Sequence, residues 1–303
     1  MIVVFGSINL DLIFPLAALP AAGETVLGPD VRVEPGGKGA NQALAAARDG
    51  ARVVLAGATG RDPLATAALA LLREAGVDLA RVAASERATG CAAIFVDRAG
   101  RNAIGVGSGA NLAARADQVE DALLGPDATL VAQMEVPSSE TAALIRRARA
   151  RGSRIVLNLA PAAALDSDAL RAVDVLVVNA VEAAWLAGTL PSAPDAVGLH
   201  AALGVTVVRT LGEQGAEAAH RGELIRVPAH PVNAVDTTGA GDCFTGVLAA
   251  ALDRGNPLEP ALARASVAAA LCCTRAGSQA TMPWGADIDA ASLPLRPSGR
   301  RGS

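Results

Sequence analysis

Short apolar, β-rich segments alternate along this chain with longer alanine-rich helical ones. That alternation restricts the fold severely, because strands apolar on both faces need helices to cover them. The rhythm runs through Ile2 to Phe5, Ala40 to Arg48, Val53 to Ala56 and Pro63 to Glu74. It continues with strands at Thr129 to Gln133, Ile155 to Leu159, Val175 to Asn179 and Val205 to Thr210. It predicts an α/β fold with a central, mostly parallel sheet flanked by helices. Asp62 before Pro63 reads as a cap followed by a first-turn proline, and Gly76 follows the last turn. Glu135, Asn158, Asn179 and Thr210 each follow an apolar strand, at the edge where open α/β sheets place ligands.

Two segments break the rhythm. Asp11 to Gly36 and Thr89 to Gly107 lack helical periodicity and combine β-branched residues with Gly and Pro turns. They read as strands of a small separate sheet, a lid or an interface; ordinary hairpins on the edge of the main sheet are the alternative. A chain of 303 residues accommodates two domains or one large α/β domain. Leu295 to Ser303, with Pro297, three arginines and two glycines, reads as a solvated tail.

Aromatic residues make up only 2% of the chain, so stacking surfaces for bases are scarce, and 26 Lys and Arg against 30 Asp and Glu give no basic field for nucleic acid. Small-molecule chemistry is the expectation. Cys91, Cys243, Cys272 and Cys273 show no metal-ligand spacing, and His200, His220 and His230 are not near them in sequence; buried thiols in a reducing cytoplasm are expected. The N-terminus lacks a basic leader and no apolar run reaches the length of a membrane span, which predicts a soluble, intracellular protein.

The segment AVDTTGAGDCFTG, residues 234–246, carries the chemistry. An apolar, helical run from Phe244 to Leu252 follows Gly239, Ala240 and Gly241, so these three would stand at a helix N-terminus with free amides, a site that favours phosphate or a developing oxyanion. Asp242 in the first turn then suits removal of a proton from a hydroxyl while the amides hold the phosphoryl group being transferred. Alone, the turn reads equally as a plain helix start with an acidic cap, and Asp236 and Thr237 as strand-end turn residues.

Asn9 and Asp11, two apart at the end of the first strand, point the same way and suit adjacent hydroxyls of a polyol. Gly36 to Gln42, GGKGANQ, introduces a helix and supplies Lys38 and Asn41 as polar contacts. Taken singly, Lys38 reads as a solvent-exposed loop lysine and Glu182 as an exposed helix carboxylate. Neither a Walker A loop nor GxGxxG is present, which argues against a P-loop ATPase and against an NAD-binding oxidoreductase.

GGKGANQ near the start and DTTGAGD near the end, in this order and separation, resemble the two signatures of the PfkB sugar kinases, also called the ribokinase family. GSINLD, NAIGVGSGAN, QMEVP, NLAPA, TLGEQG and TRAGSQATMPW also resemble segments of its ribokinase members, so the likeness spans about Ile2 to Ala290. The resemblance implies a ribokinase-like kinase domain over 1–290, with lid strands from about 11–36 and 89–107 that also form a homodimer contact, and a flexible tail over 291–303. It implies transfer of the γ-phosphoryl of ATP to the terminal O5 hydroxyl of D-ribose. Asn9, Asp11, Gly37, Lys38, Asn41 and Glu135 would bind the sugar, and Asp242 would be the base. Gly239, Ala240 and Gly241 would form the anion hole, and Asn179, Thr210, Gly212, Gly215 and Gly241 would line the ATP site. Glu182 matches an element associated with Mg²⁺ and phosphate. Asp236, Thr238, Cys272, Arg275, Gly277 and Thr281 would hold an activating K⁺, largely through carbonyl oxygens.

The chain departs from the family pattern at Ala180, where an acidic residue is usual, at Val178, where proline is common, and at Ser266, where some members place an adenine-contacting histidine. Deoxyribose, fructose or a nucleoside such as adenosine are alternative substrates, and a non-catalytic sugar or nucleotide binder is the alternative outside catalysis.

Overall fold

A computed structural model describes residues 1–292. In chain order the strands are β1 (Ile2–Phe5), β2 (Asn9–Pro15), β3 (Arg32–Gly36), β4 (Val53–Gly60), β5 (Asp78–Ser85), β6 (Gly90–Val96) and β7 (Asn102–Gly107). They continue with β8 (Thr129–Ala132), β9 (Arg154–Asn158), β10 (Val175–Val178), β11 (Thr206–Thr210), β12 (Ala216–His220) and β13 (Glu223–Val227). Nine of them form one sheet in the order β13-β12-β11-β10-β9-β8-β1-β4-β5. Pairing is parallel from β11 to β5, and only the β11–β12–β13 edge is antiparallel, as expected for a mostly parallel sheet.

Successive residues of β1 serve opposite faces, the period of two that a strand imposes. Ile2 and Val4 pack with α1 (Lys38–Arg48), α2 (Pro63–Ala68) and α3 (Ala70–Glu74) on one side. Val3 and Phe5 pack on the other with α4 (Ser138–Ala150), α5 (Ser167–Arg171), α6 (Ala180–Ala187) and α7 (Ala196–Leu203). The first face is completed by α8 (Ala240–Asp253), α9 (Leu258–Cys272) and α10 (Gly285–Ser292). Alanine-rich surfaces let α1 and α8 come very close: a Cβ on Gly246 would lie 2.4 Å from the carbonyl oxygen of Gln42. The N-terminal ends of these two helices meet at the carboxyl edge of the sheet.

The two rhythm-breaking segments form a separate four-stranded sheet, β3-β2-β6-β7. It begins two residues earlier than expected, at Asn9, because β2 follows β1 after only three residues. Its β2–β6 pair is parallel and its outer pairs antiparallel, with Asp11 opposite Glu34 and Asn9 opposite Gly90. Val33, Ile104 and Val106 are each more than half exposed on it.

Some local expectations are corrected. Pro63 to Glu74 is two short helices interrupted at Leu69 (φ −100°, ψ 0°), and Asp62 caps the first by accepting from the Ala65 amide. Cys91 lies half-buried in the lid, whereas Cys243, Cys272 and Cys273 are buried. Helix α10 runs to Ser292, past the expected domain end at 290, and the rest of the expected tail lies outside the described residues. Among the described residues no helix is long and apolar enough to cross a membrane.

Candidate active site

Gly239 adopts a left-handed conformation (φ 76°) that lets the chain turn into α8 at Ala240. This puts the glycine turn at a genuine helix N-terminus, with Asp242 in the first turn and 6% exposed. Beside it opens a cleft of about 210 Å³. Gly239, Gly241 and Asp242 line it from the turn, Lys38 from α1, and Asn158, Asn179, Glu182 and Thr210 from strand and helix ends at the sheet edge. Gly212, Gly215 and Ser266 are not among its lining residues.

Both carboxylate oxygens of Asp242 are held. The Asn41 side-chain amide donates to Oδ2 at 2.9 Å and the Gln42 amide to Oδ1 at 2.9 Å. Behind them, Gln279 donates to Asn41 Oδ1 (3.0 Å) and Gln133 to Gln42 Oε1 (2.6 Å), while Gln42 also donates to Asn158 Oδ1 (3.0 Å). Sequence reasoning missed Gln42, Gln133 and Gln279 as parts of the site. Gln42 stands inside GGKGANQ, and its invitingly polar position in a buried helix face was the available signal.

The lid side is acidic. Asp11 is buried, and its pKa is pushed up to about 7 by that burial and by the neighbouring charges of Glu135, Glu34 and Asp242, with Lys38 opposing. Glu135 Oε2 accepts from Ser7 Oγ (2.5 Å) and from the Lys38 backbone N–H (3.1 Å). Asn9 Oδ1 accepts from Asn111, whose own oxygen accepts from the Ile8 amide, so Asn9 is oriented from below by a residue the sequence did not single out. Gly37 is buried at the entry to α1.

Lys38 joins the lid side to the cleft. It is half-buried, not a free loop lysine, and Asp242 is the main cause of a raised pKa, burial opposing and Glu135, Glu182 and Asp11 adding to it. Lys38 is the one cationic side chain among the residues that line the cleft.

Glu182 is 8% exposed, contrary to its expected exposure as a helix carboxylate, because it folds back into a capping box. Its Oε2 accepts from the Asn179 amide (2.8 Å) while Asn179 Oδ1 accepts from the Glu182 amide (2.9 Å). Burial raises the Glu182 pKa against the pull of the Asn179 amide and Lys38. Gly212 and Gly215 take positive φ in a tight turn after Thr210, closed by Leu211 donating to the Gly215 carbonyl at 2.8 Å. Ser266 is buried on α9, its hydroxyl donating to the Pro228 carbonyl at 3.0 Å.

Asp236 organises a second loop. Its Oδ1 accepts from the Thr238 amide and hydroxyl (2.9 and 2.7 Å) and its Oδ2 from the Gly277 amide (3.0 Å). Burial opposes its ionisation, but these hydrogen bonds prevail and its pKa lies below the ordinary value. The Thr281 hydroxyl meets the Gly277 and Ser278 carbonyls and Cys272 Sγ (3.2 Å), and the Arg275 side chain is exposed. Arg48 ties the same segment to α1 by donating to the Gln279 and Met282 carbonyls. One carboxylate among carbonyl and hydroxyl oxygens is a donor set for a hard monovalent ion, and the buried Gln279 Oε1 has no hydrogen-bond partner. Among the described residues no cluster of three or more His, Cys, Asp or Glu side chains is placed to hold a metal.

Comparison with known proteins identifies the family. Residues 1–285 match the model of the pfkB family carbohydrate kinases. The chain is 35% identical to the ribokinase of Bacillus subtilis over 291 residues, covering 95% of this chain and 98% of that one. It is 33% identical to the deoxyribokinase of Salmonella typhi, covering 93% and 95% of the two chains. The structure of Arabidopsis thaliana ribokinase complexed with ribose and ATP superimposes with a TM-score of 0.85 at 29% identity, covering 96% of this chain and 97% of that one.

Proposed function

This chain belongs to the pfkB family of carbohydrate kinases, and within that family we propose that it transfers the γ-phosphoryl group of ATP to the O5 hydroxyl of D-ribose, giving ribose 5-phosphate. The observation that carries the reading is Asp242: a buried carboxylate at a helix N-terminus, fixed by two amides, between the polar lid residues and the cleft. Asp242 takes the proton of the sugar hydroxyl as the oxygen attacks phosphorus. Gly239, Ala240 and Gly241 present helix N-terminal amides to the charge that gathers on the phosphoryl oxygens. Little covalent chemistry is asked of the protein; positioning and charge compensation do most of it.

Asn9, Asp11, Gly37, Lys38, Asn41 and Glu135 form the sugar site. A carboxylate that accepts and an amide that donates and accepts, side by side, match vicinal hydroxyls. Lys38, shared between Asp242 and Glu182, also meets the transferred phosphoryl group. Asn179, Thr210, Gly212 and Gly215 carry the nucleotide, with Ser266 behind them; the bonded Ser266 hydroxyl suits a packing role beside the base.

Two ions fit the residues present. Glu182 lines the cleft and is held by its capping box, so it would help hold Mg²⁺, which would supply charge neutralisation for the phosphates. Asp236, with oxygens at Thr238, Cys272, Arg275, Gly277 and Thr281, would hold K⁺, which would supply a fixed positive charge beside the glycine turn. The exposed apolar face of the lid supports a homodimer formed through it.

Deoxyribose is the second reading, favoured by the nearly equal identity to a deoxyribokinase. A coupled ADP-release screen over ribose, deoxyribose, fructose and adenosine, with and without KCl, separates the readings. ADP release with ribose in clear preference supports the first; ATP binding without ADP release on any acceptor would leave a non-catalytic binder.

A further inference from the structure

We infer that Gln42 is a positioning residue for phosphoryl transfer: its side-chain amide sets the orientation of Asp242 and leaves that carboxylate one defined way to face the acceptor hydroxyl. The inference rests on Asp242 being the base.

Gln42 is fully buried at the start of the second turn of α1, and all its side-chain hydrogen-bonding groups are used. Its oxygen accepts from Gln133 at 2.6 Å; its nitrogen gives one proton to Asp242 Oδ1 at 2.9 Å and the other to Asn158 Oδ1 at 3.0 Å. Only one amide orientation satisfies these three partners. The flipped one would set oxygen against two oxygens and one NH₂ against another. Asn158 in turn donates to the Val177 carbonyl at 3.2 Å, so the chain of contacts is anchored on the rigid strands β9 and β10. The backbone is fixed as well, because Gly246, one turn beyond Asp242 on α8, packs directly on the Gln42 carbonyl.

No other residue type reproduces this. Leucine or methionine fills the space but donates nothing. Ionised glutamate keeps an acceptor for Gln133 and loses both donors. A base held loosely by an ångström loses on the order of 10² in rate, so the consequence of losing Gln42 falls on turnover and not on substrate binding. Lys38, Asp11 and Glu182 are the charged groups around Asp242, and Cys243 and Cys272 the nearby thiols; none of them touches Gln42 through a hydrogen bond.

The test compares full-length wild type, Gln42→Leu, Gln42→Glu and Asp242→Ala in steady state, with nucleotide-binding stoichiometry fixing the active fraction. The expected result for both Gln42 variants is a kcat lowered about 10- to 100-fold with KM for sugar and ATP within about twofold. In Gln42→Glu a second buried carboxyl shares the site with Asp242, so the acid side of the kcat profile is expected to change. Gln42→Glu is nearly isosteric and decides the matter if Gln42→Leu does not fold. Folded Gln42→Glu with wild-type kcat and an unmoved pH profile, beside an inactive Asp242→Ala, overturns the inference alone. Turnover retained by Asp242→Ala overturns the base assignment and this inference with it.

Discussion

The side-chain amide of Asn41 donates to Oδ2 of Asp242 at 2.9 Å, across 201 residues of sequence. Asn41 also accepts from Gln279 at 3.0 Å, so it links the loop around Gly277 to the carboxylate. Asn41→Leu leaves two buried polar groups unpaired, at about 1–3 kcal/mol each. Thermal denaturation is expected to show a Tm several degrees lower, and assays of the folded fraction a kcat at least tenfold lower.

Asp11 gives a pH signature. Its pKa is raised in the folded protein to about 7 from an ordinary 3.8. The folded state therefore holds this proton more tightly than the unfolded chain, and stability contributed at low pH is lost as pH rises from about 4 through about 7. Asp11→Asn removes that loss. Its Tm is expected to exceed that of the wild type at pH 8, and the excess to shrink steadily as pH falls toward about 4, while its KM for sugar is raised throughout.

Gly241 and stability come apart. A Cβ at Gly241 meets no atom within 4 Å, and the residue is helical and lines the cleft. Gly241→Ala is expected to keep or raise the Tm, since alanine is favoured over glycine in a helix by about 1 kcal/mol. With the glycine-turn amides as the proposed anion hole, the new methyl group would crowd the phosphoryl oxygens, and kcat/KM for ATP is expected to fall by about 10² or more. Differential scanning fluorimetry beside steady-state kinetics reads both.

The proposed cation site at Asp236 carries a testable response to potassium. Replacing K⁺ by a bulky organic cation is expected to lower turnover, and added KCl to restore it. In Asp236→Ala the carboxylate that gathers Thr238 and Gly277 is gone, so the KCl concentration for half-maximal activation rises at least tenfold. An unchanged KCl titration contradicts the assignment.

The alternation of β1, α1 and β4 was legible because strand and helix periods are local properties of the chain. So was the glycine turn before α8, since Gly239 and the apolar run after it both bear on the same few residues. The amide network behind Asp242 was not. Gln42 on α1, Gln133 just after β8 and Gln279 after α9 come from three distant segments, and no spacing rule relates them; Gln42 meets Asp242 where α1 packs on α8, and Gln133 and Gln279 reach Gln42 and Asn41 from behind. Glu182 misled for a related reason: a carboxylate on a helix's first turn is ordinarily exposed, but here the capping box folds it inward beside Lys38. The break at Leu69 left no mark because neither Gly nor Pro stands there.

Asp242 as the base of a sugar kinase meets its sharpest test in single-turnover phosphorylation of ribose by Asp242→Ala. The variant is expected to fold with a Tm within a few degrees of the wild type, to bind ATP, and to form sugar phosphate at least ~10³-fold more slowly. Phosphorylation at a rate close to that of the wild type would contradict it.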